Sequence, residues 1–193
     1  MGFTKAELAA FRGQPVDDLL GQDVRLLFVG INPGLWTAAV NAHFARPGNR
    51  FWPALQLAGI TAERVDASNG MPHDAAAELI GKGVGITNLV DVATARADEL
   101  TSAQLQEGAE HLRAAVRRTR PRVVAVLGLT AYRAAFGHRA AAIGRQDEQF
   151  EGAELWVLPN PSGLNAHETI SSLAVWYRQA AEAAGVPLRR GDR

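Results

Sequence analysis

The chain of 193 residues contains no cysteine and carries a formal net charge of zero. Disulfides, thiolate nucleophiles and cysteine-ligated zinc or iron–sulfur sites are therefore excluded. The zero net charge argues against bulk electrostatic attraction to nucleic acid and leaves only a local patch. No segment reaches the roughly 18 uninterrupted apolar residues of a membrane helix, and residues 1–14 show no apolar signal core behind a basic start. We expect a soluble, untargeted protein that fits the cytoplasm.

Several common site patterns are also missing. The five histidines show no spacing typical of metal ligation, so we expect no metal site. Gly81, Gly83 and Gly85 do not precede a helix and fail as a phosphate loop. No nucleophile elbow is present. The arginine-rich run "RRTRPR", 117–122, lies at the amino end of a predicted strand, where it is either a nucleic-acid patch or a solvated helix end.

Apolar residues make up 47% of the chain, which is enough for the core of one domain over residues 1–193. Apolar runs without alternation predict strands buried on both faces, and helical patterns between them indicate an α/β fold with a parallel sheet. Residues 1–23 form an amino-terminal helix and lead-in, and residues 186–193 are expected to fray. The predicted strands are 24–30, 83–91, 123–128 and 155–158, and the predicted helices are 4–21, 49–60, 101–119, 129–137 and 167–184.

Two buried strands end on the same dipeptide, in "LLFVGINPGL" and "LWVLPNPSGLN". Proline cannot donate to a sheet and disfavours helix in the residue before it, so each strand stops at its asparagine, Asn32 or Asn160. Ligands of parallel sheets bind beyond the carboxyl ends of the strands, where both turns lie. Such dipeptides are often only turns, but Asn32 can also orient a water or a ligand with its amide.

A segment of about 20 residues with little predicted structure follows Asn32, and loops of that length in compact domains are usually functional. It contains Phe44 between His43 and Arg46, a combination suited to stacking on a planar base beside phosphate contacts, although Phe44 could equally anchor the loop. In the second turn Leu164 is either a tip that wedges into stacked bases or a residue folded into the core.

These motifs resemble the mismatch-specific uracil-DNA glycosylase family, which includes the thymine-DNA glycosylases. The resemblance rests on "GINPGL", "RPGNRFW", "GITNLVD", "VLGLTAYRAAF" and "WVLPNPSGLN", in the family's order and over roughly residues 24–180. It implies a three-layer α/β/α sandwich with a short, mainly parallel sheet. It also implies a monomeric, nucleoid-associated enzyme that needs no cofactor and excises uracil opposite guanine from double-stranded DNA.

The resemblance also assigns roles to individual residues. Asn32 would position the attacking water, and Phe44 would stack on the flipped base. Asn49 would brace the pocket or cap a helix, and Asn160 would help to hold the pocket. Ser162 would contact phosphate, Gly163 and Leu164 would fill the gap in the duplex, and Asn165 would follow them against the orphaned guanine. The base pocket would comprise Gly30, Ile31, Thr37, Phe44, Asn49, Asn88 and Asn160.

Three departures from the family pattern leave the substrate range open. Ala166 stands where some bacterial relatives have arginine, so His167 could supply the missing stacking. As in the thymine-processing branch of the family, asparagine stands at position 88, where certain bacterial members carry lysine. Trp36 and Thr37 could crowd or widen the pocket around the 5-position of the base.

These roles leave the catalytic base unassigned, because the amide of Asn32 cannot take a proton. Asp91, at the end of "GITNLVD", is the nearby carboxylate that could act as a supplementary base; otherwise it caps a helix or pairs with an arginine. Two alternative functions stay open at this point. One is a non-catalytic module that binds mismatches or abasic sites, and the other is a hydrolase of free nucleosides.

Overall fold

A computed structural model describes residues 2–189 of the chain. Its centre is a five-stranded sheet in the order β2-β1-β3-β5-β4, in which β4 alone runs antiparallel to its neighbour. The strands are β1 Leu26–Gly30, β2 Val84–Asn88, β3 Val123–Leu127, β4 Gly144–Phe150 and β5 Ala153–Leu158. The helices are α1 Lys5–Ala9, α2 Leu35–Val40, α3 Phe51–Leu57, α4 His73–Gly81, α5 Ser102–Thr119, α6 Leu129–Phe136 and α7 Ile170–Ala184.

Helices cover both faces of the sheet, because alternate residues of each strand point to opposite sides. Leu26 and Phe28 of β1 pack with α3 and α7 on one face. Leu27 and Val29 pack with α5 and α6 on the other. All five residues of β1 are buried, as its unbroken apolar run predicts. The predicted α/β sandwich with a short, mainly parallel sheet is confirmed.

The prediction of a helix over residues 4–21 was wrong beyond its first turns. Thr4 accepts a hydrogen bond from Glu7 N, and Glu7 returns one to Thr4 N, so the predicted cap forms. The helix ends at Ala9, because Gly13 has a φ of +80° and Pro15 follows shortly after it. Residues 13–19 are not helical and end in an antiparallel bridge between Leu19 and Ile86, and we call this segment the strap.

The tail predicted to fray from residue 186 is packed as far as residue 189. Val186 is buried in the core beside α7. Arg189 donates its N–H to Gly59 O at 2.9 Å, and its guanidinium donates to Ala62 O at 2.9 Å. Residues 190–193 lie outside the described residues. No helix within residues 2–189 is long and apolar enough to span a membrane.

Candidate active site

A cavity of about 590 Å³ opens at the carboxyl ends of β1, β2, β3 and β5. Loops that follow these four strands form its walls, as expected for a sheet whose parallel strands end at one edge. Most of the predicted site residues meet here, although they come from distant parts of the sequence. Those that line the cavity are Ile31, Asn32, Thr37, Phe44, Asn49, Asn88, Asn160, Ser162, Leu164 and Asn165.

The orientation of the Asn32 amide is determined by its neighbours. Its Nδ2 donates to Val92 O at 2.8 Å and to Thr94 Oγ1 at 2.8 Å, with Pro33 O further away at 3.2 Å. A carbonyl can only accept, so the NH2 group must face Val92. The Oδ1 of Asn32 is therefore the group left to accept a hydrogen bond from a molecule in the cavity.

Thr94 completes this arrangement, and it was missed by sequence analysis. Its hydroxyl donates to Arg96 O at 2.8 Å and accepts from Asn32, so both of its hydrogen-bonding functions are in use. Thr94 is buried and also lines the cavity. No local pattern marks this threonine, because its partner Asn32 lies 62 residues earlier in the sequence.

The amide of Asn160 has the opposite arrangement. Its Oδ1 accepts from Ser162 N at 2.9 Å, which is the hydrogen bond of an Asx turn. The carbonyl oxygen is thus occupied within the turn, whereas the NH2 group has no acceptor among the residues that the structure describes. Asn160 accordingly offers donors to the cavity.

The absence of a side chain at Gly30 leaves room for the side chains of Asn88 and Phe44 at the end of β1. A Cβ atom at this position would lie 2.6 Å from Asn88 Oδ1 and 3.2 Å from the Phe44 ring. The first distance is far below van der Waals contact, so any larger residue would displace the Asn88 amide. Ile31 follows with a backbone N–H that, like that of Phe44, has no backbone acceptor within residues 2–189. These two N–H groups are further candidate donors.

Phe44 is both an anchor and a wall of the cavity. Its ring stacks on Phe51 with centroids 4.0 Å apart and planes at 24°, which fixes it to the core. It also lines the cavity. Its φ of +55° is unfavourable for a residue other than glycine and costs on the order of 1–3 kcal/mol, so the surrounding contacts must hold it in place.

His43 supplies such contacts, and it does not reach the surface as its predicted role beside phosphate would require. Only 5% of the residue is exposed. Its Nε2 lies 3.0 Å from Asp17 O, which can only accept, so this nitrogen carries the proton. Its Nδ1 lies 3.5 Å from Asn88 Nδ2, and its carbonyl accepts from Trp52 Nε1 at 3.1 Å. Burial lowers the pKa of His43 to about 4, so the ring is neutral near pH 7.

The structure places Asp91 outside the cavity, so its predicted role as a supplementary base is not supported by its position. Asp91 is exposed and does not line the cavity. Its Oδ1 accepts from Val16 N of the strap at 3.1 Å. Its contact is thus with a segment 75 residues earlier, and no arginine pairs with it within residues 2–189; its role as a supplementary base stays a prediction.

The strap joins the two loops that carry the cavity residues. On one side Gly13 N donates to Ala93 O at 2.9 Å, next to Thr94. On the other side Asp17 exchanges hydrogen bonds with Asn41 and accepts from His43, next to Phe44. The strap therefore supports Asn32 and Phe44 from behind without lining the cavity.

The second turn forms a loop, residues 160–168, that we call the wedge loop. Leu164 is 75% exposed, so it is not folded into the core. Ser162 Oγ accepts from Leu164 N at 3.3 Å, which leaves its hydroxyl hydrogen for an outside acceptor. The Asn165 amide bonds Asn160 O and His167 N, so both of its ends are occupied within the loop. The second amide hydrogen and the second lone pair of Oδ1 are left for a contact with guanine.

Asn49, Trp36 and Arg117 each have a defined contact in the structure. Asn49 Oδ1 accepts from Phe51 N at 2.9 Å, so Asn49 forms an Asx turn just before α3, whose N-cap is Arg50, and it also lines the cavity. Trp36 donates to Ser68 O at 2.9 Å and does not line the cavity. Arg117 pairs with Glu151 at the opposite end of the sheet, which favours a solvated helix end over a nucleic-acid patch there.

The cavity mouth carries charges of both signs. Arg96 is paired with Asp98 through two hydrogen bonds of 3.0 and 2.6 Å. Arg46 is exposed and also lines the mouth. Within residues 2–189, no group of three or more histidine, aspartate or glutamate side chains could hold a metal ion.

Comparison with known proteins identifies the family. The model of the uracil DNA glycosylase superfamily matches residues 18–182, and the chain belongs to that superfamily. Its members are DNA glycosylases, hydrolases that remove uracil from DNA. The fold is similar to the solution NMR structure of a "putative Uracil DNA glycosylase" from Methanosarcina acetivorans. The TM-score is 0.60 at 15% identity, covering 87% of this chain and 98% of that one.

Proposed function

We propose that this protein is a monofunctional DNA glycosylase that flips uracil mispaired with guanine out of double-stranded DNA and hydrolyses its N-glycosidic bond, leaving an abasic site. The observation that carries the proposal is the fixed Asn32 amide, which lines the cavity and whose NH2 group is occupied, so that its Oδ1 is left as the acceptor. The proposed enzyme acts as a monomer, without a cofactor, and its substrate would place it on the nucleoid in the cytoplasm.

Two side chains in the cavity, Phe44 and Asn88, are suited to bind the base. Phe44 supplies a ring fixed on Phe51 for stacking. Asn88 gives one amide hydrogen towards His43, which leaves its Oδ1 to accept from N3–H of uracil and its second hydrogen for the adjacent carbonyl. Cytosine has an acceptor at N3 and a donor beside it, so it mismatches both groups. Thymine has the same edge as uracil, and this pair of contacts does not exclude it.

Bond cleavage transfers the electron pair of the bond between the sugar C1′ and the base nitrogen to the base. The Asn160 NH2 group and the N–H groups of Ile31 and Phe44 are available donors that would stabilise the developing anion. The sugar becomes oxocarbenium-like, and a water held by Asn32 Oδ1 forms the new bond at C1′. The proton of this water passes to solvent or to the departing base, because an amide does not accept it.

Leu164 is the residue that favours duplex DNA over a free nucleoside as the substrate. Flipping a nucleotide costs a few kcal/mol, and least at a mismatch. An apolar side chain at the tip of the wedge loop can fill the space that the flipped base leaves. A hydrolase of free nucleosides would have no use for such a tip, so its exposure favours a DNA substrate.

A panel of duplexes with single lesions tests the proposal, with alkaline cleavage of the abasic product as the readout. Wild-type protein should release uracil from a G·U duplex faster than from an A·U duplex. Asn32→Ala should lower the single-turnover rate by about 10²-fold, because the water loses its positioning. Asn69→Ala, at an exposed asparagine away from the cavity, is the matched control and should keep the wild-type rate.

The same panel separates the alternatives. Binding of the G·U duplex without release of uracil would contradict the proposal and favour a mismatch-binding module. Release of bases from free nucleosides at the same rate as from the duplex would favour the nucleoside hydrolase.

A further inference from the structure

Arg50 connects the base pocket to the wedge loop through backbone contacts. It stands at the start of α3, directly after Asn49, which lines the cavity. Its Nη1 donates to Asn165 O at 2.7 Å and to Glu168 O at 2.7 Å. Its Nη2 donates to Gly163 O at 3.2 Å. Three carbonyls on both sides of the loop tip therefore converge on one guanidinium group.

Two further contacts hold the loop to the same segment. The N–H of Arg50 donates to Pro161 O at 3.0 Å. A Cβ atom at Gly163 would lie 2.7 Å from Gly48 O, so the two backbones touch at a distance that only glycine permits. The wedge loop is thus docked on residues 48–50 at its beginning, tip and end.

The chemistry of these contacts calls for arginine in particular. Guanidinium is planar and directs several N–H groups in fixed directions, whereas a lysine ammonium is a compact point charge. No carboxylate pairs with Arg50 among the residues that the structure describes. Its charge is instead balanced by carbonyl dipoles of the loop, so its main interactions are with the loop backbone.

Leu164 has little packing that could fix its own position, because three quarters of the residue is exposed. Its height above the cavity is therefore set by the backbone on which it stands. The carbonyls of Gly163 and Asn165 flank Leu164 in sequence, and both accept from Arg50.

We propose that Arg50 is a positioning residue of the wedge: it holds the loop in the shape that inserts Leu164 into the duplex while the neighbouring Asn49 and Phe44 receive the flipped base. The proposal rests on the proposed function, since a wedge matters only for a duplex substrate. Arg50 does not touch the reacting atoms in this arrangement and acts only through Leu164.

A double-mutant cycle on a G·U duplex tests this role. Arg50→Met and Leu164→Ala should each lower the single-turnover rate by about tenfold, and the double variant should be no more than about threefold slower than either single variant, because both remove the same event. Combining Arg50→Met with Asn88→Ala should instead multiply the two single effects, because Asn88 acts on the base. Arg139→Met, at an exposed arginine outside the cavity, should match wild type.

Several outcomes would overturn the inference. They are a wild-type rate for Arg50→Met, multiplication of the Arg50 and Leu164 effects, or equal coupling of Arg50 to Asn88 and to Leu164. Arg50→Lys keeps the charge and stem, and it replaces Arg50→Met throughout the cycle if the latter fails to fold by circular dichroism. If wild-type protein releases no uracil from the duplex, the proposed function fails, whereas a failure of Arg50 alone leaves that function intact.

Discussion

The Asn-Pro turns after β1 and β5 share a sequence but present opposite hydrogen-bonding groups to the cavity. Asn32 has its NH2 group occupied and offers an acceptor. Asn160 has its carbonyl oxygen occupied and offers a donor. A side-chain amide can play either role, so the chemistry of each turn is set by the partners that occupy its other end.

The two turns also differ in how they are supported. The first is held from behind by long-range contacts, through Thr94 and the strap. The second holds itself by an Asx turn and is docked by Arg50. The first turn is therefore sensitive to distant residues, and the second to its own sequence and to one arginine.

Exchanging the donor of the second turn should have the largest effect. Asn160→Asp keeps the acceptor for Ser162 N but replaces the NH2 group by an oxygen that repels the anionic base. We expect a loss of about 10²–10³-fold in single-turnover rate on a G·U duplex, comparable to the removal of an oxyanion donor. Asn69→Asp is the control, and an unchanged rate for Asn160→Asp would show that the second turn donates nothing to the base.

Protonation of His43 should weaken the support of the first turn. The folded pKa of about 4 lies below the ordinary value of 6.5, so the unfolded chain binds the proton first as the pH falls. The lowered pKa of His43 therefore leaves the unfolding free energy unchanged above about pH 6.5. Near pH 4 it should lower the unfolding free energy by about 3 kcal/mol. Urea unfolding across this range should show a shallower loss for His43→Phe than for wild type. An identical pH dependence for the two proteins would contradict the buried neutral ring.

Removing the hydroxyl of Thr94 should release the Asn32 amide at one of its two short contacts. Thr94→Val keeps the shape and deletes both hydrogen bonds of the hydroxyl, the one from Asn32 and the one to Arg96 O, and we expect about a tenfold loss in rate on the G·U duplex. Thr94→Ser keeps the hydroxyl and should restore most of the rate. Equal losses in both variants would assign the effect to packing instead of the hydrogen bond.

Substitution of Asp91 should have the smallest effect, and it distinguishes a role of Asp91 in holding the strap from a role as a base. Asp91→Ala deletes the acceptor for Val16 N and should lower the unfolding free energy by about 1 kcal/mol, while the rate at saturating protein changes less than about threefold. The measurement is urea unfolding alongside the pH–rate profile on the G·U duplex. Loss of a limb of that profile in Asp91→Asn would restore Asp91 as a base.

Local patterns predicted much of the fold. The helix predicted over 101–119 forms as α5, with Thr101 and Gln104 capping each other, because its signals lie within one turn. The helix predicted over 129–137 likewise ends at Gly137, which has a φ of +73°. The strand β4 was missed because "GRQDEQF" is polar, and it pairs as an edge strand with β5 alone. Helices α2 and α4 were also missed.

The residues of the site also fall into those that local sequence patterns predicted and those that they did not. Asn32, Phe44, Asn160 and Leu164 could be predicted because they lie in short motifs, and the structure brings them to one cavity. The burial of His43 and the true partner of Asp91 could not be predicted. Both depend on hydrogen bonds with the strap: His43 donates to Asp17 O across 26 residues of sequence, and Asp91 accepts from Val16 N across 75. Such pairings follow from the packed fold and leave no periodic signal in the chain.

The strap limits how far the chain can be shortened before residue 18 without loss of support for the site. The superfamily match begins at residue 18, so trimming the chain to the matched region would look harmless. That cut would remove Gly13 and Val16, the residues that hold the loop carrying Thr94, and also Asp17, on which His43 depends. Every residue that lines the cavity would remain, yet the acceptor oxygen of Asn32 would lose the framework that aims it. We therefore expect the smallest active fragment of this protein to be longer than the region that matches its family.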